Sequence, residues 1–214
     1  MRTLILLLAL LLPPALPAAA SGAEVREGDL LFVTASNTGL SGAINEATRR
    51  SDQLGFDHVA MVANAASSAA DDGTLQVLHA DSKGSREQSL AEFSQEARDK
   101  QRQVMVYRLK APPRNAIGDA VAKARTMLGK PYNTTYVQSE DSYYCSDFIE
   151  RAFRAHHVFH TQPMNFRNVE TGEFPAHWQA FYAGLGMQIP QGEPGTNPND
   201  MAAAPVLERV GPLY

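Results

Sequence analysis

The sequence predicts an α+β domain with a mainly antiparallel sheet, on three observations. Short apolar runs bounded by turn residues carry strand character. Other segments space their apolar residues as an amphipathic helix does. The order of these segments is strand, helix, several strands, helix, helix, without an internal repeat. That order suits a sheet covered by segregated helices.

Residues 28–34, Gly-Asp-Leu-Leu-Phe-Val-Thr, read as a strand entered from a turn. Residues 38–50 read as a helix, with Leu40, Ile44 and Ala47 on one face. Residues 56–63, Phe-Asp-His-Val-Ala-Met-Val-Ala, form a second apolar strand, and 64–73 a hairpin loop rich in Ala, Ser and Asp. A third strand is expected over 75–80, a short helix over 90–98 and a fourth strand over 104–109. The alanine-rich stretch 116–128 predicts a helix that stops at Gly129, with Pro131 beyond it. Residues 132–144 are polar and aromatic without a clear period. Residues 145–155 predict a helix whose Phe148, Ile149, Ala152 and Phe153 share a face.

From His156 onward Pro and Gly become frequent, and only 175–185 has helical character. This tail carries Phe159, Phe166, Phe174, Trp178, Phe181 and Tyr182. It is too aromatic for a disordered segment and is expected to wrap irregularly over the core. The domain reading is a leader over 1–22, a catalytic core over 23–155 and a C-terminal extension over 156–214.

The leader reading rests on Arg2, then the apolar run Leu4 to Leu12, then Pro13, Pro14 and Pro17, then small residues up to Ala23. That is the layout of a secretory signal peptide. The apolar run is shorter than the roughly 20 residues a membrane-spanning helix needs. The expected location is therefore periplasmic or secreted, with no stable membrane anchor once the leader is removed. Hydrophobic residues make up 44% of the chain and charged residues 20%, proportions that allow a proper core. The formal charge is -4, or -5 without Arg2. No basic field is present to hold nucleic acid.

Cysteine use narrows the chemistry. An exported protein normally pairs its cysteines. This chain has one, Cys145, so the thiol is either a buried apolar side chain or has a task. It opens the predicted helix, where free backbone amides and the positive end of the helix dipole favour a thiolate. A thiolate nucleophile needs a base, and the base needs an orienting group. Of six histidines, His58 lies at the start of an otherwise apolar strand and His79 near the end of the next. Pairing of those strands would bring the two rings together, with Asp81 as a rival orienter. His156, His157 and His160 follow the Cys helix, and His177 precedes Trp178. His156, His157 and His160 have only a loose ligand-like spacing, better read as helix-end residues, and no Gly-x-Ser-x-Gly elbow or phosphate-binding glycine loop occurs, so no cofactor is expected.

Several blocks occur in order: Gly28-Asp29-Leu30-Leu31-Phe32, Asp57-His58-Val59-Ala60-Met61-Val62, Val77-Leu78-His79-Ala80, Gly129-Lys130-Pro131-Tyr132 and Tyr143-Tyr144-Cys145-Ser146-Asp147. Together they resemble the YiiX/YebB-like cysteine hydrolases, which are circularly permuted papain-like enzymes related to the NlpC-type hydrolases and to lecithin retinol acyltransferase. The resemblance covers about residues 26–155 and extends to tail blocks 174–178 and 192–196. It implies Cys145 as nucleophile, His58 as base and His79 at the third polar position, with the His strand before the Cys helix. Many YiiX-like members carry an acidic residue where His79 stands. Tyr144 is a candidate for the oxyanion site, with packing as the other role open to it. The implied chemistry is acyl transfer on a small peptide or amino-acid amide, with lipid esters or amides second. A binding module that keeps the fold without turnover is the reading from another class, and the filled Cys145 and His58 positions weigh against it. Nothing in the sequence determines the oligomeric state.

Overall fold

The computed structural model describes residues 22–50, 54–64 and 75–214. The segments expected as a leader, 1–22, and as a loop, 64–73, lie almost wholly outside these residues. Six strands form one sheet: β1 (Leu30–Thr34), β2 (Phe56–Asn64), β3 (Leu75–Asp81), β4 (Gly84–Ser89), β5 (Val104–Leu109) and, near the C-terminus, β8 (Leu207–Pro212). Their order is β4-β3-β2-β1-β5-β8, and every neighbouring pair is antiparallel. Two-residue strands β6 (Gln162–Pro163) and β7 (Pro194–Gly195) tie two parts of the tail together.

Alternation along the strands divides the apolar side chains between the two faces. Leu30, Phe32, Val59, Met61, Leu78, Met105 and Tyr107 face one side. There they pack on α3 (Ile117–Thr126) and α4 (Cys145–Phe153). Leu31, Val33, Ala60, Val62, Val77, Val104 and Val106 face the other side and meet Phe93 and Ala97 of α2 (Leu90–Asp99). Helix α2 opens on a capping box, Ser89 with Glu92, which satisfies two otherwise free backbone N–H groups. The predicted helices over 38–50 and 116–128 are both found, shortened to α1 (Gly39–Thr48) and α3.

Two strands of the main sheet escape the sequence reading for one reason. β4, Gly-Ser-Arg-Glu-Gln-Ser, is polar throughout, and β8 buries only Leu207 among its residues. Both lie at the edges of the sheet, where charged residues and proline are tolerated because one side of the ladder is unpaired. Apolar periodicity has little to register there. Gly84 makes the β3–β4 turn at φ +98°, and a Cβ there would lie 2.5 Å from the Lys130 carbonyl oxygen. Ser85 next to it donates its hydroxyl to the Met127 carbonyl at 2.6 Å, fixing the end of α3.

The tail corrects the expectation of an irregular wrap. Besides the predicted helix, found as α5 (Ala176–Gly184), it holds α6 (Pro198–Ala202) and completes the main sheet through β8. Helix α6 is capped by Asn197, whose side chain accepts from the Asp200 N–H, with proline at the first turn. Asn199 on α6 reaches back into the core, accepting from the Phe56 N–H at 2.7 Å. Trp178 and Tyr182 are buried with Ala43, Tyr136, Tyr144, Met164 and Phe166 in a separate apolar cluster. Trp178 Nε1 donates to the Ala43 carbonyl and Tyr182 to the Thr135 carbonyl, so both aromatics satisfy their polar atoms.

Candidate active site

β2 and α4 bring the predicted nucleophile against the residue that precedes the predicted base. Where β1 pairs with β2 the register shifts: Val33 faces His58, but Thr34 faces Phe56. Asp57 is the extra residue of this bulge. Its carboxylate pairs with Arg102, which also binds the Thr34 carbonyl. Its carbonyl turns to α4 and accepts the Cys145 thiol, Sγ to O 3.8 Å. The thiol therefore rests on the backbone of the residue that precedes His58. No hydrogen bond joins Sγ to the His58 ring among the described residues.

Cys145 is the first residue of α4. The preceding Tyr144 is extended, and no side chain caps the helix. The first-turn amides are thus left without a competing side-chain acceptor. The amides of Val59, Ser146 and Cys145 all favour the thiolate, but burial outweighs them and pushes the thiol up to about 12. In this arrangement Cys145 is a neutral thiol.

His58 and His79 share the α2 face of the sheet. His58 Nε2 lies 2.9 Å from His79 Nδ1, and the rings meet edge to face. Phe93 of α2 packs on both, its ring centroid 6.1 Å from His58 and 5.6 Å from His79. Burial lowers His58 to about 3, with His79 adding to the fall. Burial likewise lowers His79 to about 4. Both rings are neutral at neutral pH. Asp81, the rival orienter, is engaged elsewhere. Its carboxylate takes Arg86 at 2.7 Å and the Lys83 N–H at 2.9 Å. Burial acts to raise Asp81, and Arg86, the Lys83 N–H and His79 together more than reverse it, leaving it below the ordinary carboxylate range.

The two halves of the site line different spaces. His58, His79 and Asp81 line a cleft of about 350 Å³ together with Phe93, Lys100 and Arg102. Cys145 lines a cavity of only about 40 Å³ with Tyr136, Tyr144, Phe166 and Trp178. Ile44, Asp57 and Tyr132 belong to both walls. The tail therefore encloses Cys145. Tyr144 helps hold it: its hydroxyl accepts the Thr196 N–H at 3.1 Å. A Cβ on Gly195 would stand 2.8 Å from that hydroxyl and 2.5 Å from Met164 Sδ, so the tail approaches as closely as glycine allows. The Tyr144 hydroxyl is thus committed to the tail, while its ring lines the Cys145 cavity.

The remaining histidines stay apart from the site. His156 pairs with Asp119 at 2.8 Å on the surface, His157 and His160 line a tail groove, and His177 stacks on Phe181. Residues the sequence reading did not single out include Arg102, which holds the bulge, and Tyr136. Tyr136 sits at φ +56° with its hydroxyl buried and unpartnered among the described residues. A non-glycine residue in that conformation is uncommon.

The comparison with protein families decides the kinship. The model of the permuted papain-like amidase enzymes, the YaeF/YiiX or C92 family, matches residues 24–211. The chain belongs to that family. The match reaches across the tail, which fits a tail that supplies a strand to the main sheet. Among solved structures, the chain is similar to one titled metalloprotein yiiX from Escherichia coli O157:H7. The TM-score is 0.65 at 21% identity, over 87% of this chain and 96% of that one. No curated protein is similar enough to add to this. The expectation of a circularly permuted papain-like fold is borne out. Membership supports a cysteine hydrolase of the amidase kind. Among the described residues, no three His, Cys, Asp or Glu side chains stand close enough to hold a metal ion. The donor set does not fit a resident metal, and the chemistry derived for this chain uses none.

Proposed function

We propose that the protein is an exported cysteine hydrolase of amide bonds, with Cys145 as nucleophile, His58 as base and His79 as the group that orients His58. The observation that carries this reading is the arrangement at the β2 bulge. A thiol at an uncapped helix start rests on the Asp57 carbonyl, and the next residue is a histidine whose far nitrogen is held by a second histidine.

A neutral thiol beside a neutral imidazole supports general-base catalysis rather than a resting ion pair. As Sγ bonds to the substrate carbonyl carbon, His58 takes the thiol proton. The oxyanion receives the backbone N–H of Cys145. His58 then returns the proton to the departing amine as the C–N bond breaks, leaving a thioester. Water adds to the thioester with its proton passing to His58, and collapse releases the carboxylic acid and restores the thiol. Sγ must first leave the Asp57 carbonyl and turn to His58, a side-chain rotation that substrate entry into the cleft would favour.

The cleft beside His58 carries Asp81, Glu96, Lys100 and Arg102. A wall of both charge signs supports a peptide or amino-acid amide over an acyl chain. With the leader expected over 1–22, stem peptides of the cell wall are the proposed source. The test is hydrolysis of a panel of peptide amides and acyl esters by the wild type and by Cys145→Ala. The alanine variant should lose at least about a thousandfold of the rate while keeping its circular dichroism spectrum. Full activity without the thiol would overturn the mechanism, and a preference for esters of long acyl chains would overturn the substrate class.

A further inference from the structure

The His58–His79 pair is useful only with one polarity. If His79 Nδ1 accepts the Nε2–H of His58, the Nδ1 lone pair of His58 is left free to take a proton. If the hydrogen bond runs the other way, His58 Nδ1 carries the hydrogen and cannot act as a base. The group that sets the polarity must act on the far nitrogen of His79.

That nitrogen, Nε2, is buried and has no hydrogen-bond partner among the described residues. Both amide atoms of Gln88 are in the same condition. Gln88 lies on β4, whose register sets it opposite Val77 and sets Arg86 opposite His79. Val77 and His79 point to the same face, so Gln88 is the diagonal neighbour of His79 on that face. It is only 7% exposed. Gln88 also favours the protonated His79 ring as a hydrogen-bonding neighbour. Three buried polar atoms without partners, on adjacent strands and on one face, are costly unless they serve one another. A small rotation of the amide would bring its Oε1 to the Nε2–H of His79 and satisfy both of those atoms.

We propose that Gln88 is a positioning residue: its Oε1 accepts the Nε2–H of His79, so that a single chain Gln88–His79–His58 leaves the His58 lone pair facing the nucleophile. This rests on the reading of His58 as the base. β4 is the polar edge strand that carries no apolar signal, and its one buried amide holds the far end of the relay.

The experiment is nitrogen-15 NMR of the histidine rings in the labelled whole protein, with His58→Gln and His79→Gln used for assignment. The wild type should show both rings protonated at Nε2. Gln88→Leu should release the His79 tautomer and slow alkylation of Cys145 by iodoacetamide by between about tenfold and a hundredfold. Gln88→Glu, which keeps an acceptor at the same reach, should retain the wild-type tautomers and stay within about threefold of its rate. Hydrogen on Nδ1 of either ring in the wild type overturns the inference, and that measurement needs no variant to fold. So does a Gln88→Leu protein whose ring signals do not move. The two readings fail separately. Full activity in Cys145→Ala removes the proposed mechanism with the tautomers unchanged, whereas a Gln88→Leu protein whose His79 signals stay at their wild-type positions removes Gln88 alone.

Discussion

The His cleft and the Cys cavity meet at Ile44, Asp57 and Tyr132, yet they are built in opposite ways. The cleft stands on consecutive antiparallel strands. His58 and His79 are placed by β2–β3 pairing, and the open side is charged. The cavity stands on a helix terminus and is closed by aromatic residues that come from far along the chain. The half that carries His58 is thus set by local register, whereas the half that carries Cys145 depends on distant packing. The first is a cleft of about 350 Å³. The second is buried enough to hold the thiol neutral.

The strongest way to break the contrast is to loosen the closed half. Trp178→Ala should destabilise the protein by about 3–5 kcal/mol, the usual cost of deleting a buried tryptophan. Trp178 packs on Tyr136, Phe166 and Tyr182, so the loss should also expose Cys145 to iodoacetamide. Chemical denaturation and alkylation rates measure the two effects, and a variant that unfolds at the wild-type midpoint would show that the tail does not close the cavity.

Within the open half, His79 and Asp81 compete for one role, and substitution separates them. His79→Ala should cost about a hundredfold in turnover of any amide the wild type hydrolyses. Asp81→Asn should cost less than about threefold, because Asp81 is spent on Arg86 and the Lys83 amide. A larger loss from Asp81→Asn than from His79→Ala would reverse the assignment.

A further effect is on stability against pH. The folded values of His58 and His79 lie near 3 and 4, below the ordinary 6.5 of the unfolded chain. Below about pH 6.5 the unfolded state therefore binds more protons, and stability is lost as pH falls toward the folded values. Each ring contributes a slope of at most about 1.4 kcal/mol per pH unit. Asp147, raised to about 6 chiefly by burial, acts in the opposite sense, since its folded form holds a proton that the unfolded form has released. The informative quantity is the difference between the wild type and a His58→Gln/His79→Gln variant, which should lose less stability between about pH 6.5 and pH 4. Equal losses would place the rings in contact with solvent.

Much of the site was legible in the sequence, for identifiable reasons. Cys145 stands at the start of an amphipathic helix, a pattern that apolar spacing and a lone thiol both announce. His58 interrupts an apolar strand, and His79 sits where antiparallel pairing must bring it back. Tyr144 was legible as a neighbour of the nucleophile, but not the Thr196 amide that takes its hydroxyl. Asp81 looked as suitable as His79 until Arg86 was seen to occupy it. Gln88 left no mark, because a glutamine in a polar edge strand looks like any exposed residue.

By itself the sequence determined the elements that depend on apolar periodicity: the buried strands, the principal helices and the position of the thiol on one of them. It also determined the family, through blocks of residues kept in order. Only the tertiary structure decided that the last residues complete the sheet, that the tail shuts Cys145 into a small cavity lined by aromatic residues, and that the paired ring of His58 belongs to His79. Those outcomes depend on contacts between residues far apart in the chain, such as Cys145 with Asp57 and Tyr144 with Thr196. Local periodicity carries no information about such contacts, because burial is a property of what the rest of the chain brings to a residue.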